Sequence, residues 1–405
     1  MPFTWLAALR FLREGRAQTL LIVSGVAVGV AVIVFLTALI TGLQEDLIKK
    51  TLGSQAHIVV RPPQDVNRAV ISDTSHSIAS RIERRAQRLR SIDQWQQVQQ
   101  QLAGTSGVVA ISPIASGSAF AVRNNAEYAI ALLGVDAGQF DRVVKISERL
   151  VAGSWRVSST ETVIGVELAR DLGASVGDKL RVRTVDGLDV TYTIAGLFDI
   201  GVQDLNKRWV FVTTRAAQSL LDLPGGITTL EITVDDIFAA DEVAARISTR
   251  TGLVADSWMK TNAQLMAGLR SQSASSTMIQ FFVIVAVAFS IASVLVVSVM
   301  QKSKEIGILR TMGAGRGSIV RIFLIQGAVL GLVGSLLGSL AGSGLALLFA
   351  NLAQGPSGAA LFPIMITPAI VLKATLLATL TGVLSAAVPA LRAARLDPVA
   401  AIRYG

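Results

Sequence analysis

Covalent catalysis and metal binding draw on a short set of side chains, and this sequence holds few of them: no cysteine, and two histidines, His57 and His76, well apart. A thiolate nucleophile, a disulfide framework and a Cys/His zinc site fall away, and no nucleophile, base and acid gather in one stretch. Nucleotide binding would need a phosphate-cradling loop such as GxxxxGK[ST]. Residues 313–318, GAGRGS, are rich in glycine but lack the lysine and follow no strand-like run. Chemical character concentrates instead in residues 300–321, MQKSKEIGILRTMGAGRGSIVR, where Lys304, Glu305 and Arg310 interleave with Ile306, Ile308, Leu309 and Met312 ahead of Gly313. That spacing predicts a short amphipathic helix, N-capped by Ser303 and ending near Gly313. Its chemistry is recognition, because an Ile-Gly-Ile-Leu run is a poor choice for exposure to water and a good one for docking a partner.

The elements around this segment are membrane spans. The chain has 405 residues, 51% hydrophobic and 16% charged, with a positive mean hydropathy, which describes a polytopic membrane protein carrying a soluble portion. The formal charge of +9 does not signal nucleic acid, since Lys and Arg gather beside the apolar runs as membrane orientation requires. Residues 1–18, with Phe3, Trp5, Leu6, Leu9 and Leu12 between Arg10, Arg13 and Arg16, form an interfacial helix. Residues 19–43 are the first span, longer than a signal h-region and kept as an anchor. Further spans follow at 276–300, 322–350 and 367–389, each near the roughly 20 residues a crossing needs. The segment 301–321 is thus a loop between spans, 351–366 a short uncharged loop, and 390–405 a tail with Arg392, Arg395 and Arg403. Basic residues fill the N-terminus, the 301–321 loop and the tail and are absent from 351–366, so both termini are cytoplasmic and the large domain is external.

Residues 44–275 have the mixed charge and β-rich runs of a soluble domain. Strands are expected at 56–61, 108–112, 118–122, 128–135, 190–198, 209–213 and 230–234, and a long polar helix at 78–102 with Arg81, Arg84, Arg85, Arg88 and Arg90 on a solvated face. The segment TVIGVELARDLGASVGDKLRVR reads as a helix closed by Gly173, a turn at Gly177-Asp178 and an alternating strand. Strands interleaved with helices make an α+β domain long enough for two subdomains, standing on helical stalks that continue the first two spans. In the third span Gly327, Gly331, Gly334, Gly338 and Gly342 set a small-xxx-small rhythm for close helix packing. A second permease chain is expected to cover the small-residue faces that four spans alone leave bare.

One span, a large external domain, three clustered spans and KEIGILRTMGA after the second span together resemble the permease subunits of ABC transporters of the MacB, LolC/LolE and FtsX superfamily, often called type VII. Over 257–344, SWMKTNAQLMAGLRSQ, AFSIASVLVVSVMQKSKEIGILRTMGAGRGSIVRIFLIQG and the glycine series look most like the lipoprotein-releasing LolC/LolE branch. VELARDLGASVGDKLRVR and the closing LDPVAAIRYG are similar to the superfamily's external-domain and C-terminal patterns. The resemblance implies a polytopic α-helical membrane protein of four transmembrane helices in the bacterial inner membrane, with a large α+β periplasmic domain inserted between helices 1 and 2. It implies that Lys304, Glu305, Ile306, Ile308, Leu309, Arg310, Met312 and Gly313 couple to a dimer of ABC ATPase subunits, which holds the ATP and Mg, leaving this chain without a cofactor. Implied partners are a second permease, identical or paralogous, the lipid bilayer, and a periplasmic chaperone or adaptor. The implied work is extraction of a lipoprotein or lipid from the membrane; the alternatives are a MacB-like efflux permease for drugs, peptides or glycolipids, and an FtsX-like relay that transports nothing. A membrane-anchored enzyme is disfavoured by the missing catalytic cluster.

Overall fold

The computed structural model describes residues 3–63, 90–353 and 364–397. His76, Arg81, Arg84, Arg85, Arg88, most of the 351–366 loop and the tail from 398 onward lie outside the described residues. The chain opens with α1 (Phe3–Glu14), α2 (Arg16–Leu52), β1 (Ile58–Arg61), α3 (Trp95–Ala103), β2 (Val108–Arg123), β3 (Ala126–Val135) and α4 (Ala137–Asp141). There follow β4 (Leu150–Gly153), β5 (Glu161–Gly165), α5 (Val166–Leu172), β6 (Lys179–Thr184), β7 (Asp189–Phe198), α6 (Gln203–Arg208), β8 (Trp209–Thr213) and α7 (Thr214–Leu220). It closes with β9 (Thr229–Val234), α8 (Ala240–Thr251), β10 (Val254–Ser257), α9 (Trp258–Thr261), α10 (Ala263–Gln301), α11 (Ser303–Thr311), α12 (Arg316–Leu352) and α13 (Pro368–Ala394). Contacts divide it into a helical unit, Met1–Leu47 with Ala267–Gly405, and an α/β unit, Ile48–Met266.

In the helical unit α2, α10, α12 and α13 are long and apolar enough to cross a membrane. Several bounds differ from those read off hydropathy. Arg16 and Gln18 belong to α2, not to the N-terminal helix, and α12 starts at Arg316, inside the expected loop. Helix α13 continues through Pro389, where an interior proline removes a hydrogen bond, because Ala390, Ala393 and Ala394 beyond it are buried against α11 and α12. The glycines of α12 serve two neighbours. A Cβ at Gly327 or Gly331 would meet the carbonyls of Gly382 and Ala378 on α13, and one at Gly334, Gly338 or Gly342 would meet Val26, Ala27 and Ala31 on α2. Missing side chains thus let three backbones approach, the packing open to helices in lipid. The same contacts correct the expectation that these faces await a second permease: this chain covers them itself. Toward the end of α2, Thr37 Oγ1 accepts from Gln280 Nε2 at 3.0 Å and Gln44 Nε2 donates to Ser273 Oγ at 3.0 Å, so α2 and α10 are tied by polar side chains.

The α/β unit is built on a sheet of ten strands in the order β10-β1-β9-β2-β3-β8-β5-β7-β4, with β6 bridging β2 and β7. Strand β2 is the joint. Val108–Ile114 pairs with β9, while the part from Ala119 to Val122 has β3 on one side and β6 on the other, closing β2-β3-β8-β5-β7-β6 into a ring. One core, with Ile58, Leu102, Ile232, Ile247 and Trp258, lies on β1, β9 and β10 under α3 and α8. Two more, around Leu132, Tyr192 and Val212 and around Phe140, Phe198 and Phe211, occupy the two faces of the ring strands. The sequence suggests two strands, 108–112 and 118–122; the structure keeps one, because β9 pairs with it as far as Ile114 and β3 takes up the ladder from Ile114 to Arg123. The expected 78–102 helix is corrected at its end: Ile92 bridges to Ile227, Gln94 takes a left-handed φ of 53°, and helix begins only at Trp95. His57 is structural, its Nδ1 accepting from the Val234 N–H at 3.1 Å, and burial lowers its pKa. Glu231 stands across the sheet from Val59 and the fully buried Ser112. Enclosure of its carboxyl pushes the pKa up to about 7.

Two outcomes are expected. Gly338→Leu, overpacking the α12–α2 contact, should cost on the order of 1–3 kcal/mol and lower the melting point in detergent, whereas Gly344→Leu, whose Cβ meets nothing within 4 Å, should leave it unchanged. Because folded Glu231 keeps its proton up to about pH 7 while an unfolded glutamate loses it near 4.5, the α/β unit should lose stability as pH rises between those values, by at most about 3 kcal/mol. Denaturant midpoints followed through Trp95, Trp155, Trp209 and Trp258 should show that slope, and Glu231→Gln should flatten it.

Candidate functional site

The candidate site is α11 and the residues that hold it. Ser303 is its first helical residue and not its cap; Lys302 occupies the cap position without a side-chain hydrogen bond to the helix N-terminus. The far end closes as expected of a glycine. Gly313 has φ 96°, Ala314 N donates to Leu309 O at 3.0 Å and Gly313 N to Arg310 O at 3.2 Å, the paired bonds of a Schellman stop, with Leu309 and Ala314 sharing one apolar cluster. Gly315 then begins α12 in an extended conformation, so the GAGRGS stretch is spent on a helix stop and a helix start.

Helical phase divides the predicted residues between two faces. Ile306, at 0% exposure, and Gly307 are buried, and Leu309 packs with them against Val299, Ile319, Ile322 and Phe323 of the spanning helices and Ala390 and Ala393 of α13. The expectation that Ile306 and Leu309 form the docking face is corrected: an apolar pair beside two spanning helices is taken up by the chain's own core. Lys304, Ile308 and Met312, four residues apart along one stripe, are the outward ones, with Ile308 44% and Met312 80% exposed. Two large apolar side chains are thus in the open along the outer stripe of α11 and its C-cap.

Glu305 and Arg310 act as tethers. Lys302 Nζ lies 2.7 Å from Glu305 Oε1 and 2.7 Å from Glu14 Oε2 on α1, with the Phe11 ring 5.6 Å below it. Arg10 completes the cluster on Glu14 at 2.9 Å. The Arg10 hydrogen bond, then that of Lys302, holds the Glu14 carboxyl below its ordinary range. At Lys302 partial burial pulls the pKa down, but the hydrogen bonds to Glu14 and Glu305 prevail and hold it above the usual lysine value. On the other side Arg310 donates to the Leu396 carbonyl after α13. Sequence inspection missed Lys302, Glu14 and Phe11, because a partner so far away along the chain leaves no spacing to detect; only the Lys302–Glu305 pair, three apart, was readable.

Comparison with known proteins covers both units. The family described as "MacB-like periplasmic core domain" matches residues 19–250, more than half of the chain, and "FtsX-like permease C-terminal" matches 277–398, which includes α11. The lipoprotein-releasing system transmembrane protein LolC of Xylella fastidiosa is 25% identical over 100% of this chain and 99% of its own. The ABC transporter permease YknZ of Bacillus subtilis is 33% identical over 42% of each chain. The macrolide export ATP-binding/permease protein MacB 1/2 of Paracoccus denitrificans is 30% identical over 44% of this chain and 26% of its own.

Removing the shared cation should loosen α1. Lys302→Met leaves Glu14 and Glu305 without it, and hydrogen exchange across Phe3–Glu14 should quicken. Glu14→Gln, which breaks the same tie from the α1 side and releases Arg10 as well, should quicken it at least as much. Equal exchange in parent and Lys302→Met would show that the cluster does not hold α1.

Proposed function

The chain belongs to the MacB/LolC/FtsX superfamily of ABC transporter permeases, and from that premise we propose that α11 is where a separate ATPase docks, through the stripe of Lys304, Ile308 and Met312. The chain is the membrane subunit of such a transporter, and hydrolysis of ATP is the work of its partner. What carries the docking proposal is the asymmetry of α11. Its inner face is fixed into the spanning helices while Ile308 and Met312 stay exposed among the described residues. A helix held so firmly on one side passes on any push it receives from the other.

The rest of the proposal follows the family architecture. Both termini and α11 lie in the cytoplasm and the α/β unit in the periplasm, in accord with the basic residues at the N-terminus, loop and tail. ATPase closure moves α2 and α10, and these move the periplasmic domain. A second permease, identical or paralogous, completes the transporter. The substrate class is an amphiphile drawn from the membrane, lipoprotein first, a choice supported by similarity to LolC along the whole length.

Ile308→Asp is the test. Burying an unpaired carboxylate in the docking contact should cost on the order of 3 kcal/mol, more than a hundredfold in affinity, so the ATPase should no longer co-purify while the permease reaches the membrane in normal amount. Leu309→Asp, aimed at the inner face, should instead lower the amount of folded permease. Retention of the ATPase by Ile308→Asp and by the double variant Ile308→Asp/Met312→Asp would refute docking at this stripe.

A further inference from the structure

A cavity of about 790 Å³ opens in the α/β unit where β3 and β8 end. The two strands are parallel neighbours, paired from Ala131↔Trp209 to Val135↔Thr213. Their following helices leave to opposite faces: α7 sends Ala217 and Leu220 into the core with Leu132 and Val212, and α4 sends Phe140 into the core with Val135 and Phe211. Strands whose following helices part in this way leave a crevice at their carboxyl ends, and the cavity lies there. Val135 and Thr213, the last residues of the two strands, line the cavity. Its volume lies within the range of about 300–1,000 Å³ of small-ligand pockets.

The lining narrows the occupant. Asp136 is already engaged, its Oδ1 accepting from the Gln139 N–H at 2.9 Å, and Thr213 Oγ1 accepts from the Ala216 N–H at 3.3 Å. Three amide side chains keep spare capacity. Gln139 spends its Oε1 on Gln99 Nε2 at 3.1 Å, Gln218 spends its Nε2 on the Gly226 carbonyl at 2.8 Å, and Gln96 makes no side-chain hydrogen bond among the described residues. Groups offering donors and acceptors side by side match the alternating N–H and C=O of an extended main chain. Trp95 adds an aromatic wall, held in place by its indole N–H on the Gly225 carbonyl at 3.1 Å. Arg215, exposed and without an ion pair among the described residues, is the uncommitted charge of the lining.

We propose that this cavity binds a short extended peptide segment carrying a carboxylate, with Arg215 pairing the carboxylate and the glutamine amides pairing the main chain. A lipid acyl chain would leave those amides unpaired. The site lies within the α/β unit and does not depend on the docking of an ATPase at α11.

The test uses the full-length chain in lipid nanodiscs and two fluorescent pools of random octapeptides, one with a fixed Glu and a free C-terminus, the other with Gln in its place and an amidated C-terminus. Anisotropy should report binding of the acidic pool and at least about tenfold weaker binding of the amide pool. Arg215→Gln should remove that difference, and Gln96→Trp, which places a bulky ring in the lining from an exposed helix position, should abolish binding. Co-purification of the ATPase should be unchanged in both variants, so failure here and failure of the docking proposal are separate observations. Absence of peptide binding, equal binding of the two pools, binding indifferent to both substitutions, or displacement of the peptides by maltohexaose or by a lysophospholipid would each overturn the proposal.

Discussion

The helical unit depends on how closely α12 can approach its neighbours. In lipid there is no hydrophobic gain from helix association, so what holds helices together is contact between surfaces that fit. Gly327 and Gly331 bring α12 against the α13 backbone, and Gly334, Gly338 and Gly342 bring it against α2. One helix thereby fixes the positions of two others, and α13 carries on past Pro389 to place Ala390, Ala393 and Ala394 beneath α11. The position of α11 is inherited from glycines that lie well inside the spanning region.

The surroundings of α11 divide tasks by face. Apolar packing of Ile306 and Leu309 sets its depth, the Lys302 cluster ties its start to α1, and Arg310 ties its end to the chain after α13. These three kinds of contact differ in reach. Packing decays over a few ångströms, while the charges are partly screened by solvent and weigh more on orientation than on stability. The exposed pair Ile308 and Met312 packs into no cluster among the described residues.

Much of this was legible in the sequence, and what was not has identifiable causes. The apolar runs gave four helices, the glycine rhythm marked α12 as a packing helix, and Gly313 marked the end of α11, since each signal is local. Periodicity also marked Ile306, Ile308, Leu309 and Met312 as apolar residues of one helix, but not which of them its own core would take, for that depends on where α12 and α13 lie. The same limit applies to β2, read as two short strands because the pairing that makes it one comes from β3 and from β9, the latter more than a hundred residues further on. The cavity at the ends of β3 and β8 left no trace, because its walls come from segments far apart along the chain.

The long strand β2 also sets an order of events during synthesis. Strand β1 and the first half of β2 have as their sheet partners β9 and β10, which begin at Thr229 and Val254 and leave the ribosome last among the strands. The ring strands β2 to β8 are complete once Thr213 has emerged. The ring can close while the core shared by Ile58 and Ile232 still lacks half of its sheet, and until then the free edges of β1 and β2 are open to pairing with another chain. A nascent chain halted between residues 213 and 229 would expose those edges, with its first spanning helix already made and its second not yet begun.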